Sequence, residues 1–267
     1  MATTTAAETQ DFTMGGVASA TFGSIGRNFA TFALLALLAE VPIQAVAWYS
    51  YKSQIGAIQA GALNNAATLV KYLATSTAMS FPTVIMAYVL QAAIVYGTIT
   101  DLNGRRASFG SCLSTALKVI LPLIGLSIVS TFGVTLGFVL LIVPGIILAL
   151  GWAIAVPVRV VERKGVFGSL GRSWELTSGY KGTIFLLFLI FFLASALFSS
   201  LGQAMAGLFT SNPAALPTSL PITYFVYFGV IRAVSAMVGA AGAATIYYQL
   251  RAIKEGIAPD KLAAVFD

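Results

Sequence analysis

Long uninterrupted apolar runs alternate with short polar segments along this chain. Six runs read as helices: Phe29 to Trp48, Pro82 to Thr100, Val119 to Leu140, Gly145 to Val161, Thr183 to Leu208 and Ile222 to Tyr248. A hydrocarbon core about 30 Å thick takes roughly 20 helical residues to cross. The runs lack the period-two alternation of barrel strands, and a helix pairs all its backbone groups internally, as lipid demands. The pattern therefore predicts an all-α integral membrane protein. Its six transmembrane helices form three hairpins, each preceded by a short cytoplasmic interfacial helix. The fourth run is short and the sixth long, which predicts tilt or overhang. The turn after the third run is expected around Val143-Pro144-Gly145. Tyr49 to Phe81 reads as two helix extensions meeting near Gly61 to Asn65, and Pro213, Pro217 and Pro221 mark the turn between runs five and six.

Composition agrees with a lipid solvent: 58% of the 267 residues are hydrophobic and 9% charged, with mean hydropathy +0.90. Charge adds an orientation. Lys and Arg gather on the cytoplasmic side of membrane proteins. Arg27, Arg105, Arg106, Lys118, Arg159, Arg163, Lys164, Arg172, Lys181, Arg251, Lys254 and Lys261 all fall on one side of the six runs. Only Lys52 and Lys71 fall on the other, and Arg232 lies within a run. Both termini are therefore expected in the cytoplasm, with the protein in a bacterial inner membrane. Met1 to Gln10 lacks the basic start and cleavage site of a secretory signal, so the first run is expected to be retained.

Phe-Gly-Ser occurs three times, at Phe22 to Ser24, Phe109 to Ser111 and Phe167 to Ser169, each shortly before an odd-numbered run. One membrane domain is thus read as three repeat units, approximately 12–102, 103–162 and 163–256. In the third unit Val166, Phe167, Leu170, Trp174 and Thr177 share a helical face, with Ser169, Arg172 and Glu175 turned away. That places Arg163, Lys164, Arg172, Trp174 and Lys181 as candidate contacts for headgroups or a partner.

The run from Pro157 to Gly179 holds Val160-Val161-Glu162 and then Leu170-x-Arg172-Ser173-Trp174-x-Leu176-Thr177-x-Gly179. It resembles the membrane domain of some bacterial glycerophosphoryl diester phosphodiesterases, and related stand-alone inner-membrane proteins. The resemblance implies an integral membrane module. In that family the phosphodiesterase activity belongs to a separate soluble barrel, which these residues do not contain.

Chemistry is sparse. Without histidine there is no Ser-His or Cys-His pair, and one cysteine, Cys112, permits no intrachain disulfide. No metal, cofactor or nucleic-acid site is expected. Asp101 and Glu162 near the cytoplasmic edge can pair with basic neighbours. Two charges lie deep in runs: Glu40, 13 residues from Arg27, and Arg232, 19 from Arg251. A charge at mid-membrane costs about 2.5–3.5 kcal/mol on insertion scales, so both need partners. Either they pair with each other, joining the first run to the sixth, or they are satisfied separately. In the second case Arg232 snorkels, and a protonated Glu40 donates to the Leu38 carbonyl that Pro42 leaves without a partner. Gln44, Gln91 and Gln203 would extend the pair into a polar path. Small residues, among them Gly133 with Gly137 and Gly202 with Ala206, mark where spans pack within the molecule.

The expectation is a non-enzymatic membrane protein with an accessory role, organising lipid or stabilising a membrane complex. Its partners would be membrane lipids, anionic ones included, or another membrane protein. The alternative is a transporter or channel for a small solute or lipid that uses Glu40 and Arg232.

Overall fold

The computed structural model describes residues 12–59, 65–207 and 222–256, and every element among them is helical. In chain order these are α1 (Met14–Arg27), α2 (Phe29–Gln59), α3 (Ala66–Leu102), α4 (Phe109–Lys118) and α5 (Ile120–Leu140). They continue with α6 (Ile142–Gly151), α7 (Ala155–Glu162), α8 (Val166–Thr177), α9 (Lys181–Gly207) and α10 (Ile222–Glu255). Six stretches are long and apolar enough to cross a bilayer: Phe29–Lys52, Pro82–Leu102, Ile120–Leu140, Ile142–Glu162, Lys181–Ala204 and Ile222–Glu255. The chain is thus a multi-pass helical membrane protein. The Phe-Gly-Ser tripeptides all fall on the short helices α1, α4 and α8.

Local chemistry explains the boundaries. Thr13, Asn65 and Ser108 cap α1, α3 and α4, their side chains accepting from Gly16, Ala67 and Ser111 backbone N–H groups. α2 and α3 run on as the extensions at Tyr49 to Phe81 require, and their junction falls partly outside the described residues. Pro42 and Pro82 sit inside these helices. Lipid offers their backbone nothing better, so neither breaks its helix.

Two expectations are corrected. The turn after the third span lies at Leu141 alone, in extended conformation, not at Val143 to Gly145. Pro144 falls in the first turn of α6, where a missing N–H costs nothing. The fourth span is also not one helix: α6 ends at Gly151 and α7 begins at Ala155, with a turn between.

The core sits at one end of the bundle. Phe32 and Ala36 of α2, Ile94 and Ile99 of α3, Cys112 of α4, Leu123 of α5, Val158 of α7 and Tyr247 and Leu250 of α10 are almost fully buried there. α10 closes the assembly, packing on α1, α2, α3 and α9. α6 lies on α5, and Trp152 and Gly145 fit where Gly133 and Gly137 leave no side chain. Gly202 of α9 likewise admits the ring of Tyr227 from α10; the side chain of Ala206 lies outside the described residues.

Candidate functional site

Three polar groupings stand out against this apolar background. The first is Arg27, Asn28 and Asp101, where α1 meets α2 and the end of α3. The Arg27 guanidinium donates to both carboxylate oxygens of Asp101, at 2.6 Å from Nη2 to Oδ2 and 3.1 Å from Nε to Oδ1. Asn28 Nδ2 donates to Asp101 Oδ1 at 2.7 Å and to the Ser24 carbonyl at 3.0 Å.

The second grouping joins α7, α8 and α10. Glu162 ends α7 and is reached by Lys164 Nζ at 3.0 Å, Arg172 Nε at 3.4 Å and the Tyr247 hydroxyl at 3.1 Å. Arg172 also bonds Glu175 at 3.0 Å and pairs with Glu255. Arg251 donates to Glu255 at 2.8 Å and to the Tyr247 oxygen at 3.1 Å. Lys254 donates to the Ser178 carbonyl at 2.9 Å and to that of Glu175, covering the open carbonyl end of α8. Burial opposes the Arg172 charge, but the bonds to Glu175 and the field of Glu162 outweigh it and raise the guanidinium pKa.

α8 follows its apolar pattern only in part. Ser169, Leu170, Ser173, Leu176 and Thr177 face inward, while Phe167 is 76% exposed. The break in the fourth span is the reason. The Gly151 carbonyl loses its helical partner at the turn, and the buried Ser173 hydroxyl donates to it at 2.7 Å. The Trp174 ring lies where a Gly151 side chain would be, and Lys181 Nζ stands 3.3 Å from that ring's centroid. Gly179 then turns the chain into α9 with φ +88°, a left-handed conformation that suits glycine. Of the candidate headgroup contacts, Lys164, Arg172, Trp174 and Lys181 thus all have partners within the protein. Arg163 caps α7 in a left-handed conformation and is exposed.

The third grouping is intramembrane. Arg232 Nε donates to Glu40 Oε2 at 3.2 Å, linking α10 to α2 across 192 positions of sequence. The Glu40 side chain is 6% exposed and that of Arg232 52%. Glu40 accepts this bond, so the Leu38 carbonyl is not needed as its partner. Glu40 and Gln44 line a lateral groove of about 530 Å³ between α2 and α10, otherwise walled by aliphatic and aromatic side chains. Gln44 lies against Gly229, whose lack of a side chain makes room for it. Gln91 is not on this groove, and Gln203 is exposed on α9.

Four participants escape the sequence reading: Asn28, Tyr247, Glu255 and Gly151. Tyr247 lies in an apolar run, where a buried ring is the ordinary expectation. Gly151 is detectable only indirectly. Ser173 and Thr177 recur four apart beside apolar residues, a spacing that makes sense once they have a common acceptor. Among the described residues no three His, Cys, Asp or Glu come together as a metal site would require. Cys112 is fully buried, and that burial pushes its thiol up to about 11.

The Uncharacterised protein family (UPF0259) matches residues 29–217, from the start of α2 to beyond the described end of α9. No curated protein and no solved structure matches the chain. The match spans most of its length, and the chain belongs to that family. Glu40, Glu162 and Arg172 lie inside the matched stretch; Arg232, Tyr247 and Glu255 lie outside it.

Proposed function

From that membership and the six apolar helices, we propose a non-enzymatic accessory protein of the bacterial inner membrane that organises anionic lipid at its cytoplasmic face. The reading takes the six spans as three hairpins, with α1, α4 and α8 as cytoplasmic helices at their entrances and both termini in the cytoplasm. One observation carries it: the balance of charge at the packed end of the bundle. Among the described residues every carboxylate there, Asp101, Glu162, Glu175 and Glu255, is already in an ion pair. Arg106, Lys118 and Arg163 at the same end are exposed and free to meet lipid phosphates. Each cation near an anionic surface contributes about 1 kcal/mol. The resemblance of Pro157 to Gly179 to the phosphodiesterase membrane domain supports a non-catalytic module.

The transport reading has less support. Only one of the three glutamines, Gln44, reaches the groove beside Glu40. The test is reconstitution of the full chain into vesicles containing a minor fraction of fluorescent phosphatidylglycerol. Energy transfer from the protein's tryptophans should report enrichment of that lipid. The triple variant Arg106→Gln, Lys118→Gln, Arg163→Gln should abolish most of it. Equal transfer from zwitterionic and anionic probes, or no change in the variant, would end this reading.

A further inference from the structure

Two arginines in this fold use their guanidinium groups very differently. Arg172 serves three carboxylates, Glu162, Glu175 and Glu255. Arg232, set in a far more apolar place, has one bond, from Nε to Glu40. Its terminal amino groups have no partner among the described residues, and its side chain is half exposed while Glu40 is sealed. The outward side of this pair is therefore its cationic end. In hydrocarbon, N–H groups without acceptors are costly, so an oxyanion at that position is strongly favoured.

The neighbourhood suits one kind of oxyanion. The α2–α10 groove passes along the Glu40 wall, from Phe29 at one end to Trp48 and Ile222 at the other. That is 19 residues of α2, about 28 Å. Side chains lean toward the N-terminus of their helix, so Arg232 leans toward the Ile222 end. Trp48 and Tyr224 mark that end with rings of the type found at headgroup level. Gln44 adds an amide on the same wall. Arg232 is not itself a lining residue but is tied to the groove wall through Glu40, and a polar head beside it with an apolar trough along α2 matches a lipid, not a soluble anion.

We propose that Arg232, with Gln44, binds the phosphate of an anionic phospholipid from the leaflet at the Trp48 end, and that one acyl chain of that lipid lies between α2 and α10. This is a single structural lipid site. It stands on the groove and does not depend on the exposed cations at the opposite end of the bundle.

Native mass spectrometry of the full chain in mild detergent, after incubation with phosphatidylglycerol vesicles, tests the site. The wild type should carry one phospholipid per protomer. Arg232→Met should lower the occupied fraction at least tenfold, and Arg232→Lys by less, because a point charge replaces the guanidinium fork. Ala45→Phe fills the groove without touching a charge and should remove the lipid equally, which decides the matter if Arg232→Met fails to fold. The triple variant of Arg106, Lys118 and Arg163 should keep its lipid even if it loses bulk enrichment. An unliganded wild type, a retained free fatty acid instead of a phospholipid, or a phospholipid that survives Ala45→Phe each overturns the proposal.

Discussion

Ser173 shows how a polar residue on an apolar helix face can hold a membrane fold together. Its hydroxyl is buried and serves one broken-helix carbonyl. Ser173→Ala should leave that carbonyl only the longer 3.4 Å bond from Thr177 Oγ1 and cost about 1–3 kcal/mol, read as a lower unfolding temperature in detergent. Gly151→Ala should also destabilise, because the new methyl collides with Trp174; overpacking costs about 1–3 kcal/mol. Trp174→Ala in the same chain should recover part of that loss, and melting of the double variant is the check. Cys112 gives a complementary readout. It is buried and its pKa stands at about 11, so at pH 8 it is a neutral, covered thiol. A hydrophilic maleimide should leave it unlabelled until the protein is denatured. At this scale the sequence is legible in charge and opaque in partnership. Glu40 and Arg232 stand out because an apolar run holds a charge only at a cost that a partner must offset. Tyr247 does not, because a tyrosine sits in such a run at little cost.

Among the helices, the lengths of the apolar runs are legible because bilayer thickness imposes one scale on all of them. The break at Gly151 is not, since a turn inside an apolar run leaves no change of hydropathy when another helix supplies the donor. The face of α8 is hidden for a related reason. Amphipathicity assumes water on one side and oil on the other, whereas α8 has a polar task on its inner side. α2 and α10 depend on each other through Glu40 and Arg232. Exchanging the charges, Glu40→Arg with Arg232→Glu, should restore membrane accumulation relative to either single change, measured by quantitative blotting. A double variant no more abundant than the singles would show that each charge is satisfied alone.

The whole molecule is closed by its last helix. α10 packs on α1, α2 and α3, and so joins the end of the described chain to its beginning. In the topology proposed above, six crossings leave both termini in the cytoplasm, the side to which Lys and Arg are drawn. Reporters fused to either end should therefore be active only if they function inside the cell. The closing contact also has a temporal side. Glu40 and Arg232 are 192 residues apart, and ribosomes add about 5–20 residues per second. A nascent chain thus waits about 10–40 s with a lone acid in its first span. Any product that stalls before α10 lacks the arginine that offsets this acid in the finished fold, and so carries an unbalanced negative charge into the bilayer.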